Sequence, residues 1–350
     1  PVRFRAVMLL LCPRDPGGWF LRLKDMTKLH NGMNVDFETT LVHEMQREPG
    51  LNYRQVSGKR YLAAEHCREQ WQVDNEARHH PRGVRYYGCA AARAVAHAVE
   101  RPNCIVAGFS ALALYGLPYL VEGADTTLLS TTGRNQLAGP CLPTIRRCRI
   151  SLTTWNVSHR GVPIQVVHPL VAVVQALVQV KRGEHRWKVV AVDGLGSEEV
   201  RAVQLIDCVR RFWGLDAAAI EAAARHKVNA AWLRRVLRLS SARADSPKET
   251  EMRLLVGVLA ARYGYTVEEQ VPLIVDGKVV TVFDLAIPEL KIAVMYDGEH
   301  HSDYKQRNKD ASINIKMTLA GWTPARCSSG TMFECLGLIE ELMQKSSQRN

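Results

Sequence analysis

At 350 residues, with 47% hydrophobic and 23% charged side chains, the chain has the composition of a soluble globular protein long enough for two or three cores. No apolar run approaches the ~18 residues of a membrane span. Nine cysteines without a C-x-x-C pair argue against structural zinc and fit reduced thiols in a cytoplasmic protein.

The net charge of +11 is lopsided: residues 246–350 hold 12 Lys/Arg against 14 Asp/Glu, while the rest holds 34 against 21. From Thr126 to Gly183 there is no acidic residue, but Arg134, Arg146, Arg147, Arg149, Arg160, Lys181 and Arg182 are present. Such a surplus suits a polyanion, with a solvated basic face as the alternative. Arg146, Arg147, Arg149 and Arg160 are the candidate DNA contacts.

Residues 1–32 are poorly patterned. Their run Ala6–Cys12 faintly resembles a signal peptide but lacks a clear small-residue cleavage site. Met26 and Met33 offer alternative starts. Phe37 to Gln46 reads as a short helix broken by Pro49-Gly50. A second element, a turn at Ser57-Gly58 and a strand follow, which is the order of a small, degenerate winged helix. The rest of 33–100 reads as helical, interrupted by Pro81 and Gly83. In "CIVAGFSALALYGLP" an apolar strand leads into a short helix. It resembles a nucleophile elbow but lacks the second glycine, so Ser110 reads as a helix N-cap. Residues 126–168 read as several strands, 169–180 as a buried helix opened by proline, and "DGLGSEE" as a turn with too few glycines for a phosphate loop. Two or three helices fill 198–239.

Ser240 to Ser246, small and polar, reads as a linker between a 101–239 region and a 247–350 domain. In that last domain Ser246-Pro247-Lys248-Glu249 has helix-start chemistry, with Glu249 in capping-box spacing, and Gly264 stops the helix near Tyr263. Strands are expected at 267–275, 278–286 and 291–297, with a hairpin turn at Asp276-Gly277. A helix over 303–320, the strand "WTPARC" and a helix over 331–345 complete the order αβββαβα. The fold class is thus mixed α/β (α+β), a central mixed sheet flanked by helices.

Asp284 interrupts the apolar strand "VVTVFDLAI", a placement that costs several kcal/mol unless the carboxylate is paired or metal-bound. Asp297 ends the next strand. Alternation there puts Ala293, Met295 and Asp297 on one face and Ile292, Val294 and Tyr296 on the other. Glu249 can reach the same point from the preceding helix. His301 lies four residues past Asp297, and Gln306, Arg307 and Asp310 lie on the following helix. Together they offer ligands for Mg2+ or Mn2+, an acid or base, and a phosphate-binding arginine. The alternatives are ordinary: Glu249 as a cap, Asp284 as a buried structural acid, Asp297-Gly298 as a turn, Gln306 and Arg307 as an exposed face, and Asp310 paired with Arg307.

On "SPKETEMR" (246–253), "FDLAIPELKIAVMYDGEHH" (283–301), "QRNKD" (306–310) and "LAGWTPAR" (319–326), the C-terminal hundred residues resemble the Vsr-like domains of the PD-(D/E)XK nuclease superfamily. The upstream "GKRYLAAEH", "VAGFSALALYGLP" and "GVPIQVVHPLVAVVQAL" are similar to AbiEi-like antitoxin or regulator regions joined to such domains. The resemblance implies a restriction-endonuclease-like sheet and Asp284 as metal ligand, with Glu249, Asp297 and His301 around it. It also implies double-stranded DNA as partner, with a cognate toxin or self-association as further partners. One position departs. Relatives usually carry Glu where this chain has Met295, and a thioether is a poor ligand for a hard cation. In the mismatch-repair branch that position is also non-acidic, and a main-chain carbonyl contributes. The carbonyl of Met295 or Tyr296 is the corresponding candidate. Two readings follow: a metal-dependent DNA endonuclease, or a DNA-binding regulator or antitoxin whose nuclease-like domain no longer cuts.

Overall fold

A computed structural model of the chain describes residues 29–348 apart from 36, 38, 39, 133 and 298–303, with the backbone alone over 304–310. The described residues form a mixed α/β structure with three sheets and ten helices, divided into two compact units. One holds 29–188 and 208–238; the other holds 189–207 and 239–348. Among the described residues no helix is long and apolar enough to cross a membrane.

The first unit begins with β1 (Val42–His43), β2 (Tyr53–Gln55) and β3 (Arg60–Ala63), a small antiparallel sheet in the order β1-β3-β2. The helix expected over 37–46 does not form: the described part of that stretch is β1 and a single 3-10 turn at Glu44–Gln46. Tertiary pairing overrides the local pattern. Val42 and His43 pair with Tyr61 and Arg60 of β3, and Phe37 stacks on His159 at 4.4 Å. No helix-turn-helix is present among the described residues here. Helices α1 (Gln70–His79) and α2 (Ala90–Glu100) follow. Then come β4 (Ile105–Ala107), α3 (Gly108–Leu114), β5 (Thr127–Ser130), β6 (Thr144–Arg147), β7 (Thr154–His159), β8 (Val162–Val167) and α4 (Pro169–Lys181). The five strands form one sheet, β6-β5-β4-β8-β7. Ser110 is not the N-cap of α3; that position is Ala107. Ser110 is buried inside the helix, where its Oγ accepts the Thr127 N–H at 2.9 Å, so it ties α3 to β5. Helices α5 (Ser197–Trp213), α6 (Ala217–Ala223) and α7 (Ala230–Leu239) fill the span expected to be helical.

The second unit carries α8 (Pro247–Tyr263), β9 (Glu268–Val275), β10 (Lys278–Ile287), β11 (Ile292–Tyr296), α9 (Tyr304–Leu319), β12 (Thr323–Cys327) and α10 (Met332–Ser347), the αβββαβα order. Ser246 caps α8 by accepting the Glu249 N–H, and Gly264 ends it at φ +76°. Asp276 and Gly277 both have positive φ, +51° and +70°, as a two-residue hairpin turn of type I′ requires. The sheet order is β12-β11-β10-β9, with β11 and β12 parallel and the other pairs antiparallel.

Both faces of this sheet are covered. Leu285, Ile287, Ile292 and Val294 pack with Met252 and Val256 of α8 and with Ile339 and Met343 of α10. Phe283, Ala286 and Ala293 pack with Met317 of α9, and Met295 joins that side. Each of the large side chains sealed here contributes roughly 1.5–3 kcal/mol. The segment 240–246 is not a free tether: Ser241 and Ala244 are buried, and the Ser241 N–H donates to Asp207 at 2.7 Å.

Candidate active site

The alternation of faces along β10 slips at Asp284. Phe283 packs on the α9 side and Leu285, two residues on, packs on the α8 side. The partner strand is irregular at the same level: Gln270, between the residues paired with Phe283 and Leu285, has φ +56°. Such irregularities re-aim side chains. Here Asp284 lines a small pocket with Glu249 and Met252 of α8, together with Arg243, Arg253 and Glu269.

Asp284 is half-buried, and its Oδ2 accepts the Tyr296 N–H at 2.6 Å, which locks it to β11. Burial pushes its carboxyl up to about 6; the Tyr296 N–H opposes this, Asp245 and Asp297 add to it by repulsion, and Arg326 offsets part. Glu249 lies in the first turn of α8. It accepts from the Asp245 N–H at 2.8 Å and from Ser246 Oγ at 3.0 Å, so its capping role and its place in the pocket coexist. Burial first, then repulsion from Asp284, raise it to about 7. Two carboxyls of one pocket raised above their ordinary range, chiefly by burial, mark a candidate functional spot.

Asp297 is placed differently. Its two oxygens are taken by one guanidinium: Arg326 Nε donates to Oδ2 at 2.8 Å and Arg326 Nη2 to Oδ1 at 2.7 Å. Arg326 Nη1 also donates to Asn314 Oδ1 of α9 at 3.1 Å. Met295 and Arg326 are direct partners across β11 and β12, so the residue at the departing position faces this arginine's strand neighbour site. Met295 is itself packed, half-buried, against the core on the α9 side. Met295 and Tyr296 both lie in the β11–β12 ladder, and the Tyr296 N–H is the one that Asp284 uses.

The donor set therefore divides. Asp284 and Glu249 fit a hard divalent cation, because they offer carboxylate oxygens from two elements at one pocket. Asp297, engaged by Arg326, does not fit as a ligand in this arrangement. Among the described residues, no three His, Cys, Asp or Glu side chains stand together as a ready metal site. His301 lies outside the described residues, as do the side chains of Gln306, Arg307 and Asp310.

The four arginines read as DNA contacts are not one cluster. Arg146 and Arg147 sit on β6 at one edge of the five-stranded sheet, with Arg149 just beyond. Arg160 sits at the β7–β8 hairpin, at the opposite edge, and donates to Thr40 Oγ1 at 3.0 Å. Arg146 is ion-paired with Glu184, whereas Arg147 and Arg149 are exposed.

Sequence reasoning gave no role to Arg326, although it lies inside "LAGWTPAR". A charged residue within a short strand was the available signal. Asp245, Arg243 and Glu269 carried none, since only the fold brings them to this pocket and its surroundings. No protein-family model, curated protein or solved structure matches this chain.

Proposed function

We propose that this protein is a DNA-binding protein whose C-terminal unit hydrolyses phosphodiester bonds of DNA with Mg2+ or Mn2+. One observation carries the reading: Asp284 and Glu249, from a strand and a helix, share one pocket with both carboxyls pushed up by burial and, for Glu249, by Asp284. A core without a use for those charges would gain stability by losing them. Asp284 and Glu249 are the residues that would hold the cation. Bound there, it would supply the charge that polarises a phosphodiester and lowers the pKa of coordinated water. Asp284, fixed by the Tyr296 N–H, gives the site its rigid point. Glu249 is raised to about 7 without a cation, chiefly by burial, so a cation held there would be bound with release of the Glu249 proton near neutral pH. The basic surplus upstream of residue 246 would meet the duplex backbone. The deciding experiment is incubation of plasmid and short duplex DNA with the full chain and Mg2+ or Mn2+, against an EDTA control. No cut product with either metal across pH 6–9 would remove the assignment.

A second reading, a DNA-binding regulator or AbiEi-like antitoxin with a silent nuclease fold, is favoured by the pairing of Asp297 with Arg326 beside the apolar Met295. Met295→Glu separates the two. Under the first reading the natural protein already cuts, and the variant changes its rate less than about tenfold while losing roughly 1–2 kcal/mol by placing a charge at a half-buried core position. A silent natural protein that gains cleavage on Met295→Glu would establish the second reading instead.

A further inference from the structure

Asp297, just past the end of β11, is at the position expected of a metal ligand, yet its carboxylate is engaged by Arg326. We propose that Arg326 is the phosphate-binding residue of this site and that Asp297 holds its place until DNA arrives. This rests on the nucleic-acid reading above.

Four observations support it. The first is geometric: a guanidinium that grips a carboxylate through two parallel bonds, here 2.8 and 2.7 Å, presents the same fork to two oxygens of a phosphodiester. The second is position. Arg326 follows Met295 across the β11–β12 ladder and acts electrostatically on Asp284, so it stands at the end of the sheet that carries the carboxylates. The third is access: the Arg326 side chain is 21% exposed and that of Asp297 45%, so a polyanion reaches the pair from solvent. The fourth is charge. Residues 246–350 hold 12 Lys/Arg against 14 Asp/Glu, so a phosphate approaching this acidic pocket needs a fixed cation near it. Asn314, bonded to Nη1, holds the guanidinium in place whichever anion occupies the fork.

The exchange conserves charge pairs. A DNA phosphate takes the two donors, and the Asp297 carboxylate is released next to Asp284. The Asp297 carboxylate thus becomes available beside Asp284 only when substrate is bound.

The test is metal-free binding of a fluorescent duplex of about 20 base pairs by anisotropy, in EDTA at low salt, using the full chain. Asp297→Asn, which loosens the competing grip, is expected to tighten binding about three- to tenfold. Arg326→Gln is expected to weaken it about tenfold and to lower the salt slope by about one. In the Arg326→Gln background, Asp297→Asn should change affinity less than twofold, which separates release of the fork from a general loss of negative charge. Thermal melts of each variant verify folding, and Arg326→Lys provides a second variant expected to recover part of the affinity. The proposal is overturned if Asp297→Asn and Arg326→Gln both weaken binding, as for a purely structural ion pair. It is equally overturned if neither changes it, if Asp297→Asn tightens binding regardless of Arg326, or if the natural protein binds no duplex. Absence of cleavage with intact binding effects would instead count against the hydrolytic reading alone.

Discussion

Asp284→Asn is expected to cut Mg2+- or Mn2+-dependent DNA cleavage by roughly 10^3-fold or more, and to make the metal-free protein more stable above pH 7. The two effects have one origin. Folding raises the Asp284 carboxyl from 3.8 to about 6 because burial disfavours its charge, a cost that the Tyr296 N–H and Arg326 only partly offset. A carboxyl raised on folding contributes its stability at low pH, below its unfolded value, and loses it as pH rises through the folded value. For Asp284 the loss falls between about pH 4 and pH 6; for Glu249, raised to about 7, it extends through neutrality. By pH 8 the ionised Asp284 costs on the order of 1–3 kcal/mol. Asparagine keeps an acceptor for the Tyr296 N–H and cannot ionise, so the variant escapes that loss. Thermal melts at pH 5 and pH 8 should show the natural protein falling further than Asp284→Asn, with added Mg2+ restoring only the natural protein. Equal pH dependence and equal cleavage in both proteins would refute the placement of this carboxylate at the centre of the site.

Asp207→Ala is expected to cost about 3–5 kcal/mol of folding stability. Asp207, near the middle of α5, is 1% exposed and accepts from Arg253 Nη2 at 2.6 Å, Thr250 Oγ1 at 2.9 Å and the Ser241 N–H at 2.7 Å. Arg253 also donates to Leu239 O at 2.7 Å. Burial pushes Asp207 up to about 6, and Arg253 is the first influence that opposes it. Removing the carboxylate leaves a guanidinium, a hydroxyl and a backbone N–H in the interior, each short of a partner. Urea unfolding measures the cost. In a double-mutant cycle, Asp207→Ala with Arg253→Ala should lose clearly less than the sum of the singles. A single-variant loss below about 1 kcal/mol would show that water replaces the carboxylate and that the network is not what secures α8.

Much of the second unit was legible because its signals are local. Ser246 and Gly264 bound α8, Asp276-Gly277 sets the hairpin, and alternation assigned Ala293 and Met295 to one face of β11 and Ile292 and Val294 to the other, as the packing shows. What was not legible depends on long-range partners. The span 37–46 has a helical pattern, but Val42 and His43 pair with β3, and Phe37 stacks on His159 of β7, more than a hundred residues away. Ser110 looked like a cap because an apolar strand precedes it; its actual partners, Thr127 N and Asp125 O, lie on the next strand and its approach. Alternation also placed Asp284 in its strand but not in the pocket, because the face slip opposite Gln270 has no glycine or proline to announce it. Asp297 could be recognised as an acid at the end of β11, whereas its engagement by Arg326 arises from a parallel pairing that sequence spacing does not encode.

That parallel pairing has a consequence for how the sheet assembles. Strands β9, β10 and β11 follow one another with short connections and can zip as hairpins, whereas β12 must return across the whole of α9 before it meets β11. Loop closure of that length is paid for last, since non-local contacts return nothing until the ends meet. Arg326 rides on β12, so the meander can form before the guanidinium that pairs with Asp297 and offsets the repulsion on Asp284 arrives. Repulsion between the two acids opposes closure at that end, and docking of β12 brings the arginine that offsets it. Pulse-labelling of amide protons during refolding should accordingly protect Phe283–Ile287 before Thr323–Cys327, with the gap narrowing as the refolding buffer is acidified through about pH 6 and Asp284 loses its charge.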